Sequence, residues 1–216
     1  MQASASKLLK KDVFGQVRLE SGDAGPVIIR DTSDAAPWLR WLARRLLARE
    51  ATALAALDGL DGVPQVGRVH RDRIERSWID GQPMQVGRPR QLEYYREAAR
   101  LLRRMHRAGV VHNDLAKEPN LLVQRSGEPA IIDFQLAWHA PRRGRLFRLM
   151  GREDIRHLLK HKRTYCAHAL TRRELDILAN PALLSRIWMK SGKRVYLFVT
   201  RKILGWADRE GAGDRV

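Results

Sequence analysis

At 216 residues the chain is long enough for one compact domain or two small lobes sharing a cleft, and its core needs no covalent staples. A lone cysteine, Cys166, excludes an internal disulfide framework; the start MQASASKLLKKDVFG has no apolar signal-type run, and no stretch is apolar for long enough to span a bilayer, so a soluble cytoplasmic protein is expected. The formal net charge of +17, carried mostly by Arg, would attract phosphate-rich partners such as anionic lipid head groups, phosphorylated glycans or nucleic acid, unless arginine simply fills solvated helix faces.

Residues 7 to 30, KLLKKDVFGQVRLESGDAGPVIIR, alternate short apolar stretches with the turn-forming SGDAGP and read as strand, turn and strand. A helix follows, opening near Pro37, which suits a first helical position, and running to about Leu57 before the turn DGLDGVP. Leu39, Leu42 and Leu46 share a stripe, and Leu46, Glu50 and Leu54 recur every four residues, so Glu50 projects from the inward face and needs a cationic partner. That partner is either an arginine of the same helix or a cation on the sheet. The opening PWLRWLARRLL is rich in Trp and Arg, a pattern found on membrane-surface helices; packing of Trp38 and Trp41 into the smaller lobe is the favoured alternative.

Two further strands, QVGRVH and RIERSWID, flank a polar turn at Arg71 to Arg73, and GQPMQVGRP then breaks regular structure and marks a hinge. From Arg90 to Arg107, Leu92, Tyr95, Ala99, Leu102 and His106 follow helical spacing, with Gly109 as the stop and His106 as a helix-end cation or packing residue.

The stretch after this stop, VVHNDLAKEPNLLVQRSGEPAIIDFQLA at 110 to 137, carries the chemistry. Two short apolar runs each deliver a carboxylate at a turn, Asp114 and Asp133, with Lys117 and Asn120 between them. HND at 112 to 114, Asn120 with Leu121 and Leu122, and IIDF at 131 to 134 resemble, in order and separation, the HRDLxxxN and DFG motifs of the protein-kinase-like superfamily. The resemblance is closest to its compact bacterial branch, the RIO-type kinases and the lipopolysaccharide-core Kdo and heptose kinases.

That resemblance implies an α+β, two-lobed kinase-like fold, with a small β-rich lobe at residues 1 to 82 and a reduced helical lobe at 83 to 216. It implies ATP and magnesium as cofactors and transfer of a phosphoryl group to a hydroxyl, on a lipopolysaccharide-core sugar or a protein Ser/Thr. Asp114 would orient the acceptor hydroxyl and take its proton, Lys117 would approach the transferred phosphate, and Asn120 and Asp133 would hold magnesium on the nucleotide. His112 would brace the loop. Gly15 corresponds to the end of a glycine-rich loop whose earlier glycines are absent, and Arg30 in VIIRD stands where a kinase carries lysine, paired with Glu50. Backbone groups at Trp78 to Asp80 would meet the adenine.

Two departures stand out. Asn120 lies six residues after Asp114, one more than in HRDLxxxN, and Gln135 replaces the glycine of DFG. No Ser, Thr or Tyr occurs between Ser126 and Thr164, which excludes activation-loop phosphorylation of the usual kind. A helix is expected near Arg152 to Lys162, then one opened by a Thr171 and Glu174 capping box and ended by Pro181. ALLSRIWMKSG and KRVYLFVTRKILGW read as apolar, basic helices, and ADREGAGDRV as a frayed tail. His157 and His161 share a helix face near Cys166 and His168; the spacing matches no standard zinc signature, and the structural reading is favoured. Rival readings are a pseudokinase scaffold and a nucleic-acid-binding protein, and peripheral contact with the inner membrane is a further expectation for the basic surface.

Overall fold

The computed structural model describes residues 6–22 and 25–180. Five antiparallel strands form the first sheet, in the order β1-β2-β3-β5-β4. They are β1 (Lys7–Asp12), β2 (Gly15–Gly22), β3 (Gly25–Asp31), β4 (Val66–Val69) and β5 (Arg73–Ser77). Residues 7 to 30 thus form three strands rather than the two expected. The additional turn, at Val13 and Phe14, is tightened by the Phe14 amide donating to Asp12 Oδ1 at 2.8 Å. Gly15 follows it at φ +120°, where any Cβ would collide with the Asp31 carbonyl oxygen, so glycine lets β2 begin against the end of β3.

Helix α1 (Arg40–Ala55) is built from strong helix formers and starts three residues after Pro37, because residues 37–39 make a turn first. Its buried stripe is Leu39, Ala43, Leu47, Glu50 and Leu54, continued by Leu57. Leu42 and Leu46 are only half-buried, so the first two turns are rotated by one residue from the expected stripe. The rotation has a cost for the tryptophans: Trp38 and Trp41 do not pack into the lobe but are 58% and 65% exposed. Trp41 lies two positions from Ala43 and hence on the far side of the helix.

The turn after α1 brings Leu57, Leu60 and Val63 into the main core. Gly62, at φ +82°, offers its carbonyl to the Ile131 amide at 2.8 Å. Residues 81 to 89 are more regular than the glycine and proline content suggests. They form β6 (Gln82–Pro83), paired with the later strand β8 (Leu121–Val123), and the single turn α2 (Met84–Gly87), whose Met84 is fully buried.

In α3 (Leu92–Arg107) the buried residues are Tyr94, Tyr95, Ala98, Leu101, Leu102 and Met105. Leu92, Ala99 and His106 of the expected stripe sit at its edge. Gly109 ends the helix at φ +79°, where a Cβ would press on the Ala140 carbonyl. Then come β7 (Val110–Val111), β8 (Leu121–Val123), β9 (Pro129–Ile131) and β10 (Trp138–His139), in the small sheets β10-β7 and β6-β8-β9.

Helix α4 (Arg145–Tyr165) extends well beyond the expected 152 to 162 and buries Phe147, Gly151, Asp154, Leu158 and His161 along one stripe. Helix α5 (Arg172–Ala179) has the Thr171 and Glu174 capping box, and Lys162 Nζ donates to both Glu174 oxygens at 2.8 Å, tying α5 to α4. The helix stop at Pro181, the two later helices and the tail lie outside the described residues. Among the described residues no helix is long and apolar enough to cross a membrane, and no three His, Cys, Asp or Glu side chains converge as a metal site. His161 Nε2 instead donates to the Leu115 carbonyl at 2.7 Å.

His157 is the α4 residue most exposed to acid. Its Nδ1 is buried without a partner, and burial, reinforced by Lys160 and Arg156, pushes its pKa down to about 4. The unfolded imidazole takes up a proton near 6.5, so the unfolded state binds more protons between these values and stability falls as pH drops from 6.5 towards 4. His157→Leu should flatten the dependence of melting temperature on pH across that window, leaving the smaller slope due to His161, whose pKa burial also lowers. An unchanged slope would show that His157 is not the titrating group.

Candidate active site

Gly109 sends the chain out of α3 into β7, and residues 112–117 then form a loop closed by a short 3-10 turn at Glu118–Asn120. His112 is fully buried at its centre. Its Nε2 lies 2.9 Å from the Ile132 carbonyl and its Nδ1 accepts the Asp114 amide at 3.3 Å, which fixes the tautomer with the proton on Nε2. The ring also packs edge-on against Phe134, with centroids 4.9 Å apart. One imidazole therefore couples the backbone of Asp114 to the residue before Asp133.

Asn120 Nδ2 donates to the Asp114 backbone oxygen at 2.8 Å and to Asp114 Oδ2 at 3.1 Å. Lys117 Nζ lies 3.0 Å from the same Oδ2. The extra residue between Asp114 and Asn120 is accommodated by the 3-10 turn, with Pro119 inside it. The Ile132 amide donates to the Asn120 carbonyl at 3.0 Å, which lays the Asp133 strand beside Asn120. Asp133 itself is left-handed, at φ 65°, and its Oδ1 is buried with no hydrogen-bond partner. Such an atom needs a partner that the protein does not supply, a water or an ion.

Arg30 and Glu50 meet, with Nη1 to Oε2 at 3.2 Å and 4% and 0% of the side chains exposed. The second oxygen of Glu50 is taken by Arg76 from β5. No arginine of α1 pairs with Glu50 among the described residues. Next to it, Arg49 donates to the carbonyls of Leu136 and Ala137 at 3.2 and 3.1 Å, fastening α1 to the segment after Asp133. Gly15 lies on the β1–β2 turn and touches the end of β3, one residue beyond Arg30. The Trp78 amide is engaged by the Pro26 carbonyl at 3.2 Å.

Sequence reasoning missed three of these residues. Asp154 of α4 accepts the backbone amides of His112 at 2.8 Å and Asn113 at 2.9 Å, and His106 Nε2 at 3.2 Å, while only 1% exposed. The signal that singled out Glu50, an acid on an inward stripe, is present for Asp154 between Gly151 and Leu158. Arg76 alternates with the buried Ile74 on one strand face, which is also legible. Arg49 lies on the exposed face of α1 and carries no such signal.

Two turns that bring Asp114, Asn120 and Asp133 together, under a small antiparallel sheet whose β3 cation is held by a helix glutamate, define a protein-kinase-like architecture. A sequence model of the RIO domain matches residues 30–177, more than half of the chain, and the chain belongs to that family. The match opens at Arg30, so the β1–β2 turn with Gly15 lies outside it. The fold is similar to that of the Rio2 kinase from Chaetomium thermophilum, with a TM-score of 0.60 and 16% identity over 79% of this chain. The chain spans 59% of the length of that kinase. No curated protein sequence matches.

Asp154→Asn removes the charge that holds two loop amides and places an amide group among three donors. It should lower unfolding stability by about 2–3 kcal/mol, read as a shifted urea midpoint at unchanged slope. A midpoint like that of the wild type would show that the loop does not depend on this carboxylate.

Proposed function

We propose that the chain is a Mg-ATP-dependent phosphotransferase acting on a hydroxyl, with the lobes dividing near residue 82. The observation that carries the reading is the buried, unpartnered Asp133 Oδ1 beside Asn120. Asn120 commits its amide nitrogen to Asp114, so its oxygen is the ligating end, and an oxygen pair supplemented by phosphates suits magnesium, which seldom uses an all-protein cage. Bound there, magnesium would neutralise charge on the nucleotide phosphates. Asp114, held by Asn120, would orient the acceptor hydroxyl and take its proton, and Lys117, half-exposed and 3.0 Å from Asp114 Oδ2, would turn towards the transferred phosphate. Arg30 and Glu50 would bound the nucleotide site from the sheet side, and Gly15 from the β1–β2 turn. The acceptor is a lipopolysaccharide-core sugar or a protein Ser/Thr, both compatible with a basic, cytoplasmic or peripherally membrane-associated protein.

One observation favours a second reading, a nucleotide-binding pseudokinase. Arg30 is nearly inaccessible and shares Glu50 with Arg76, which leaves it poorly placed to grip phosphate.

Phosphate transfer from labelled Mg-ATP, offered separately to lipopolysaccharide and to protein acceptors, separates the two. Asp114→Asn should cut transfer by at least about a hundredfold while nucleotide binding survives. Asp133→Asn should lose both transfer and the magnesium dependence of nucleotide binding. Wild-type binding without turnover supports the pseudokinase, and a wild type that neither binds nor turns over nucleotide ends both readings.

A further inference from the structure

Beside His106, the side chain that donates to Asp154, lies a concavity of about 780 Å³. Arginines converge on it from four elements: Arg103 and Arg107 from the end of α3, Arg142 and Arg143 from the loop before α4, Arg148 and Arg152 from α4, and Arg173 from α5. Its apolar lining comes from Phe147, Ile155 and Ile177, and no acidic residue lines it. All seven arginines are solvent-exposed. Elsewhere on α3, Arg96 pairs with Glu93, and Arg100 with Glu93 and Glu97, while Arg104 has no carboxylate partner among the described residues. Among the described residues no carboxylate pairs with any of the seven; Arg152 makes one contact, of 3.4 Å, with the Asn180 carbonyl.

Seven guanidiniums facing one concavity repel one another, and that cost is relieved by an anion. The first turn of α4 adds to the field, having neither an acidic residue nor a side-chain cap. The described structure ends at Asn180, whose carbonyl meets Arg152, and the sequence of residues 181–216 carries eight basic and three acidic residues, a net +5.

We infer that this concavity is a binding site for a compact, multiply phosphorylated molecule, free or as a lipid head group. The volume is that of a small-ligand site. Guanidinium forks engage phosphate oxygens in pairs, so seven of them can serve several phosphates at once. A single-stranded nucleic acid would call for aromatic platforms, and the one aromatic ring in the lining besides His106, Phe147, is 4% exposed.

The test is calorimetric titration of the full chain with inositol hexakisphosphate, alongside co-sedimentation with phosphatidylcholine vesicles carrying lipid A and titration with a single-stranded RNA at matched phosphate concentration. Binding of the soluble probe alone identifies a free ligand, and vesicle binding lost in the same variant identifies a head group. Arg148→Gln with Arg152→Gln should weaken binding at least about tenfold, whereas Arg96→Gln with Arg100→Gln should leave it unchanged. Equal losses in both variants would reduce the effect to overall charge and overturn the site. So would RNA binding that is tighter than that of the probe and depends on Arg148 and Arg152. Neither outcome bears on phosphotransfer, since these arginines lie outside the catalytic loop.

Discussion

One buried carboxylate sustains the loop on which the candidate site is built. The strand entering that loop, β7, is two residues long, and beyond it the amides of His112 and Asn113 have no sheet partner. Left unsatisfied away from water, each would cost as much as a broken hydrogen bond. Asp154 accepts both, one on each oxygen, and Asn113 takes the left-handed conformation that continues the chain from there. Because the bonds are charge-assisted they are stronger than ladder bonds. His106 donates to the same carboxylate, so the end of α3 and the middle of α4 hold the loop from two sides.

The second fixed point is a single turn of α1. Glu50 faces the sheet and holds Arg30 and Arg76, while Arg49 faces the carbonyls of residues 136 and 137. Neighbouring residues thus set the distance between the β3 cation and the segment containing Asp133. Gln135 lacks the backbone freedom of glycine, and no phosphorylatable side chain occurs between Ser126 and Thr164. Nothing in this segment requires modification to bring the parts together.

The kinase-like fold, the approach of Asn120 to Asp114 and the meeting of Arg30 with Glu50 were legible in the sequence, because each rests on a local pattern: apolar runs ending in Asp, or an acid on an inward stripe. What was not legible depends on neighbours distant in sequence. The register of α1 is rotated because Ala43 and Leu47, not Leu42 and Leu46, fit under the sheet, and the tryptophans are consequently exposed. The turn that separates β1 from β2 rests on the Asp12 side chain, which has no proline or glycine pair to announce it. Hydrophobic spacing located α4 but understated it, since its first turns carry arginine on a solvent face. Asp154 could have been found by the rule that found Glu50; the amides it serves could not.

Composition alone left two accounts of the net charge of +17, solvated helix faces or a site for anions, and the placement of charges separates them. On the outer face of α3, Arg96 and Arg100 have glutamates within reach, as solvated faces usually do. A turn further along the same helix, Arg103 and Arg107 face five more arginines across a concavity without an acid. What sets the concavity apart from other solvated arginines is the convergence of seven of them, from four elements, on one space with no acid in its lining. The wall of that concavity includes His106 and Gly151, and the residue three beyond Gly151 is Asp154. The arginine cluster and the loop of Asp114 therefore share one helix pair, with His106 lining the concavity while it donates to the carboxylate that holds the loop.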